Sequence, residues 1–174
     1  LYYSTAGLLN GEANELIAVG TNFYAGGSFV QADDKVMNHV ARRSGTNWTA
    51  VGSGQGLASF GRAVAVGTNG VFVGGTFTGA GNTTAGRIAR WDGSNWWALG
   101  SGLKGTNEGS GTLVNKIRLR GQEVFVGGLF TNAGGVTARS VARWNMTSGT
   151  WSALGSGLDA TVVGMEVTAD KVFI

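Results

Sequence analysis

Val71-Phe72-Val73-Gly74-Gly75-Thr76-Phe77 is an apolar run of strand length interrupted by a glycine pair. β-Branched and aromatic residues suit a pleated surface, whereas glycine inside a strand marks a bulge or a close approach of backbone. The pattern stands earlier as Phe23-Tyr24-Ala25-Gly26-Gly27-Ser28-Phe29 and later as Val124-Phe125-Val126-Gly127-Gly128-Leu129-Phe130. Val172-Phe173-Ile174 opens a fourth copy. Other segments keep step with it. Val40-Ala41-Arg42 returns as Ile88-Ala89-Arg90 and Val141-Ala142-Arg143, and Gly52-Ser53-Gly54 as Gly100-Ser101-Gly102 and Gly155-Ser156-Gly157. Upstream, Leu16–Val19 aligns with Ala63–Val66, Lys116–Leu119 and Gly164–Val167. The unit is about 50 residues long, a period of propeller blades.

Within the second unit, turn signals divide four short strands. The first lies near Arg62–Gly67, and Asn69-Gly70 then marks a tight hairpin, both residue types accepting positive φ. The second strand is expected over Val71–Thr78, followed by a Gly-rich loop from Gly79 to Gly86. The third runs over Arg87–Trp91. The turn Asp92-Gly93-Ser94-Asn95 leads to the fourth, Trp96–Leu99. Asp92, Ser44 and Asn145 recur at this turn, each able to bond the backbone two residues on. These features predict an all-β fold, a β-propeller of four-stranded antiparallel blades with about 3.5 blades in the chain. The blades are expected at about residues 16–60, 61–112 and 113–160, with partial blades at 1–15 and 161–174, all in one segment over 1–174. An outer strand of an earlier blade is expected at Leu1–Ser4. The chain then reads as a piece of a longer one, or as half of a dimeric ring closed by a second copy.

Composition agrees and excludes other classes. The 174 residues include 32 Gly, no Pro and no Cys, with 13% charged and 10% aromatic residues. Aromatic content at low charge is not that of a disordered chain. Without Cys there is no disulfide scaffold and no thiolate metal site. No apolar run reaches the roughly 18 residues of a membrane span. A net charge of +3 gives too weak a field for nucleic acid.

The pattern resembles kelch-like propeller repeats. The resemblance rests on Val71-Phe72-Val73-Gly74-Gly75, Trp91-Asp92 and Trp96, and on Gly127-Gly128, Trp144 and Trp151. It is closer to a bacterial variant of large secreted and surface proteins, through Ala89-Arg90-Trp91-Asp92-Gly93-Ser94-Asn95-Trp96 and Ala98–Leu103. The first copy departs from it, with Arg43 in place of the Trp and Asp33-Asp34 in place of a Gly-Asn or Gly-Gly pair. The resemblance implies secretion or cell-surface location and a structural or interaction role. It implies no specific activity, because propellers host many functions.

Structural roles are expected for Gly26, Gly27, Gly74, Gly75, Gly127 and Gly128 at a bulge or close backbone approach. They are also expected for Arg42, Arg90 and Arg143, as guanidinium groups between blades, stacked on an aromatic and bonded to carbonyls, beside Trp91 and Trp144. Lys116, Arg118 and Arg120 alternate with apolar residues, so they share one face of an inner strand. Their counterparts are Ala63, Ala65 and Gly67, and Glu166 stands at the position of Arg118. They read either as an anion-binding site near a channel or as a pairing of Arg118 with Glu166.

Catalytic or metal sites are not expected. The single His, His39, has counterparts Arg87 and Ser140 and reads as an exposed strand residue. Asp33-Asp34 lacks the D-x-D-x-D spacing of a calcium loop, and Gly52-Ser53-Gly54-Gln55-Gly56 lacks the Lys and helix of a phosphate loop. The sequons at Asn47, Asn82 and Asn145 are no more than chance supplies. The expected function is a non-enzymatic, secreted or cell-surface scaffold for structure, adhesion or protein interaction, without cofactors. Its partner would be protein or glycan at the loop face. A lectin-like, glycan-binding propeller is the alternative, and an enzyme with its catalytic parts elsewhere is a third reading.

Overall fold

The computed structural model describes residues 8–52, 55–105 and 111–174. The strand expected at Leu1–Ser4 and part of the Gly52-Ser53-Gly54 segment lie outside the described residues. Among those described, the fold is all-β, with three four-stranded antiparallel sheets. The first sheet joins Ala13–Val19, Asn22–Gly27, Val40–Ser44 and Asn47–Ala50 in chain order. The second joins Gly61–Gly67, Gly70–Gly75, Ile88–Trp91 and Trp96–Ala98. The third joins Leu113–Arg120, Glu123–Leu129, Val141–Asn145 and Thr150–Ala153. Beyond it, Glu166–Val167 pairs with Val172–Phe173. Each meander puts its two hairpin turns at one end, and the loop between its second and third strands at the other, with the linkers between sheets. No helix among the described residues is long and apolar enough to cross a membrane.

The sheets stack face on face. Alternation along each strand sends one residue set to the preceding sheet and the other to the following one. Val64, Val71, Val73 and Trp96 of the second sheet are buried with Val40 of the first, against Ile17 and Tyr24. Ile117, Val124, Val126 and Trp151 of the third sheet are buried with Ala63, Phe72 and Ile88 of the second. Phe125 and Val141 of the third are covered by Val162 and Met165. Leu16 and Phe23, on the outward face of the first sheet, are 56% and 42% exposed, whereas their register equivalents Val64 and Val71 are buried.

Register corrects the upstream alignment by one residue. Leu16 pairs with Ala25, as Val64 pairs with Val73 and Ile117 with Val126. Leu16 therefore corresponds to Val64 and not to Ala63, and Glu15 stands in the column of Ala63 and Lys116. A slip of one exchanges the two faces of a strand.

Every first strand carries a bulge, which the register marks at Asn14, Arg62 and Asn115. The glycine pairs sit against it. A Cβ on Gly27, Gly75 or Gly128 would run into the carbonyl oxygen of Glu12, Phe60 or Leu113, in the strand or bend facing it. The first glycine of each pair instead faces the following unit. A Cβ on Gly26 would lie 2.8 Å from Val64 Cγ2 and one on Gly127 2.5 Å from Val162 Cγ1, while one on Gly74 would overlap Val114. The second strand of the middle sheet ends at Gly75, short of Thr78. There the chain leaves the ladder and Thr76 N–H donates to Phe60 O at 3.1 Å. The expected Gly-rich loop holds a short hairpin, Gly79–Ala80 with Thr83–Thr84. At the preceding turn only Gly70 takes positive φ, 118°; Asn69 does not.

His39 is not an exposed strand residue. It is half-buried, immediately before the third strand, with φ 71°. Arg87 and Ser140 share this left-handed conformation at φ 69° and 63°. It recurs because it aims both main-chain groups at one loop. The N–H groups of His39, Arg87 and Ser140 donate to the carbonyls of Phe29, Phe77 and Phe130, each at 2.9 Å. Their carbonyls accept from Gly27, Gly75 and Gly128 at 3.1, 2.9 and 2.9 Å. Phe29, Phe77 and Phe130 are thereby fixed in the core, no more than 2% exposed.

Candidate functional site

Lys116, Arg118 and Arg120 lie two apart on the first strand of the third sheet and share a face. The middle sheet offers only Ala63 and Ala65 there, and across these short side chains Glu15 of the first sheet reaches the third. Glu15 Oε1 accepts from Lys116 Nζ at 3.3 Å and Arg118 Nη1 at 3.4 Å, while Oε2 accepts the main-chain N–H of Val64 at 2.8 Å. Arg118 also donates from Nε and Nη2 to Glu166 Oε1 at 3.3 and 3.1 Å. Burial pulls the Arg118 guanidinium down, but its bonds and charge pairing with Glu166 and Glu15 outweigh that and leave it above its ordinary value. Arg120 turns away, donating to Glu123 Oε2 at 3.1 and 2.9 Å and to the carbonyls of Thr168 and Ala169. Its guanidinium carbon stands 4.7 Å from the centre of the Phe125 ring. All three cations are engaged with protein groups, and two carboxylates stand against Lys116 and Arg118. The cluster therefore braces three successive sheets and the Glu166 strand.

The bulge residues brace the same junctions near the loop end. Asn14 Nδ2 donates to Gly61 O at 3.1 Å, Arg62 Nη1 to Asn115 Oδ1 at 3.3 Å, and Asn115 Nδ2 to Val162 O at 2.9 Å. At the outer edge a tryptophan does so. Trp96 Nε1 donates to Gln55 O at 3.0 Å and Trp151 Nε1 to Leu99 O at 2.9 Å, each reaching the linker before its own sheet. Trp91 and Trp144 lean on them, with centroid separations of 5.5 and 5.3 Å. In the first sheet Arg43 replaces that aromatic and lies over Trp48, 5.9 Å from its ring centre.

Arg42, Arg90 and Arg143 do not bond carbonyls between sheets. Arg42 Nη2 donates to Asn22 Oδ1 at 3.1 Å within the first sheet. Arg143 donates to Glu123 Oε1 at 2.7 Å and Ser152 Oγ at 3.2 Å within the third. Arg90 lines a small groove with Phe72, Trp97 and Trp144. The reason is their parity: each lies opposite a residue of the fourth strand, Thr49, Trp97 or Ser152, and a long side chain finds cross-strand partners first.

Sequence reasoning missed Glu15 and the three bulge residues. Glu15 was hidden by the one-residue slip in the first strand. Asn14, Arg62 and Asn115 do share a repeat position, and polar side chains at the head of each inner strand were the available signal. Asp33 and Asp34 form the tip of a short hairpin in left-handed conformation. Among the described residues no three His, Cys, Asp or Glu side chains cluster so as to hold a metal ion.

Concavities accompany these contacts. One of about 530 Å³ opens at the loop end between the second and third sheets, with Thr78, Thr84, Arg87, Lys104 and Thr112 among its walls. At the hairpin end, corresponding grooves lie at two junctions. The one between the first and second sheets is about 370 Å³, and the one between the second and third is about 150 Å³. Compared with known proteins, the chain matches no family model and no curated protein.

Proposed function

We propose that this chain is a segment of a kelch-like β-propeller of the bacterial secreted or cell-surface type, a non-enzymatic scaffold for structure, adhesion or protein interaction. The observation that carries the reading is the recurrence of sheet-to-sheet devices: a bulge side chain reaching the following unit, a glycine receiving a valine, and an indole tied to the preceding linker. Such near-identical junctions suit radial repetition about an axis, with first strands innermost. The uncovered Leu16 and Phe23 support it, being the face that elsewhere receives another sheet. That sheet would come from the rest of a longer chain or from a second copy closing the ring. Protein or glycan partners would meet the loop end, where a cleft of about 530 Å³ lies.

A crystal structure of the natural full-length protein tests the fold: sheets radiating about one axis are expected, and a linear stack would refute it. Protease treatment of intact source cells tests location: the protein should be lost from the surface, and full protection would overturn the assignment. A lectin-like use of the same frame is a second reading, favoured by the groove between the first and second sheets.

A further inference from the structure

The two hairpin-end grooves are built from equivalent positions with different residues. Tyr24, Arg42, Thr49 and Trp91 line the larger; Phe72, Arg90, Trp97 and Trp144 line the smaller. At Gly93 the larger groove has no side chain where the smaller has Met146. A threonine and a glycine thus leave open what a tryptophan and a methionine fill. The resulting volume of about 370 Å³ lies within the range of small-molecule sites, and about 150 Å³ lies below it.

The open groove also has uncommitted polar groups. Among the described residues the Tyr24 hydroxyl and the Trp91 indole N–H have no hydrogen-bond partner, and neither Phe72 nor Phe125 supplies a hydroxyl at the Tyr24 position. Arg42 engages one donor, with Asn22, out of the five a guanidinium carries. Asp92 also borders it, but its carboxylate is taken up by Ser94 N–H, Asn95 N–H and Trp97 Nε1 at 2.8, 2.7 and 2.6 Å and by the charge of Arg90. Val66 and Val71 supply an apolar wall. The Tyr24 hydroxyl, the Trp91 indole N–H, the open donors of Arg42 and an apolar wall match a ring that is apolar on its C–H face and carries oxygens around its rim.

We infer that this groove binds a saccharide. The inference rests on the lectin-like reading and assigns it one site, at this junction only. The test titrates the intact chain with neutral hexoses, N-acetylhexosamines and their short oligomers, followed by tryptophan fluorescence and calorimetry. Saturable binding of one equivalent is expected. Thr49→Trp, which copies the filled groove, should abolish it. Tyr24→Phe should weaken it about 2- to 12-fold, the loss of one hydrogen bond. Its thermal midpoint should not move, since that hydroxyl has no internal partner. Binding that survives Thr49→Trp would overturn this groove while leaving the lectin-like reading intact. Absence of binding to any of these sugars would overturn both.

Discussion

Replacing Glu15 should destabilise the chain far more than replacing Glu166, although both carboxylates hold Arg118. The Glu15 side chain is 10% exposed and that of Glu166 70%. Glu15→Ala removes two ion pairs and strands the Val64 N–H, whose acceptor it is at 2.8 Å. An unsatisfied, half-buried donor costs about 1–3 kcal/mol, and two partly screened pairs add about 0–1 kcal/mol each, giving a loss of about 3 kcal/mol. Glu15→Gln keeps an oxygen for Val64 and should lose only about 1 kcal/mol. Glu166→Gln should lose at most about 1 kcal/mol, fading with salt. For a chain of this length about 3 kcal/mol moves the thermal midpoint by about 6–12 °C. Urea unfolding followed by the fluorescence of the six tryptophans measures all three variants. The double mutant Glu15→Ala, Arg118→Ala should fall short of the summed losses because the sites touch. A Glu166→Gln loss equal to that of Glu15→Ala, or strict additivity in the cycle, would refute the bracing of three sheets by Glu15.

Gly74→Ala should lose about 1–3 kcal/mol by overpacking against Val114 and Ile117, whereas Gly79→Ala should be tolerated, because its new methyl would meet nothing nearer than 3.7 Å; matched denaturation curves compare them. Burial lowers the His39 pKa below 6.5, partly opposed by main-chain hydrogen bonds with Gly27 and Ser28. The unfolded chain therefore takes up the proton first, so stability should fall as pH drops below about 6.5 and level off below the folded pKa. In His39→Asn, which tolerates the left-handed backbone, that slope in urea midpoint should vanish. The bonds from Arg120, followed by the charge of Arg143, hold the Glu123 carboxyl below its usual 4.5. Its contribution is present above 4.5 and lost as pH falls through the folded value, and Arg120→Gln should raise that pKa in a carboxyl-carbon NMR titration. Trp151→Phe should lose about 1–3 kcal/mol by orphaning Leu99 O, and an unchanged midpoint would reject the edge staple.

The all-β class and the strand order within each sheet were legible because a glycine pair punctuates each four-stranded unit and a tryptophan pair marks the second and third. The Arg118–Glu166 contact was legible too, since both residues occupy one column and neighbouring sheets bring columns together. Glu15 was not, for two physical reasons. An alternating strand turns a one-residue alignment error into an exchange of faces, and a contact that skips a sheet appears only when the alanines at 63 and 65 are read as an open path. The positions of Arg42, Arg90 and Arg143 were readable as a repeat, but their partners were not. Arg42 and Arg143 find theirs on the second strand of their own sheet, in Asn22 and Glu123, positions that the repeated Ala-Arg pair does not specify.

At residues 39, 87 and 140 the same main-chain bonds recur, through an N–H and a carbonyl that every amino acid but proline possesses, and at 87 the side chain adds to them, with bonds to Thr112 O and Phe77 O. Histidine, arginine and serine consequently share a post without altering the frame around it. Natural variation, or a protein engineer, can rewrite the side chain there unit by unit and change what fills the space beside the loop. Asparagine, aspartate and glycine enter most readily, because they accept a left-handed φ, and β-branched residues least. Each such post works as an interchangeable socket, in which one side chain can diversify while the backbone around it stays still.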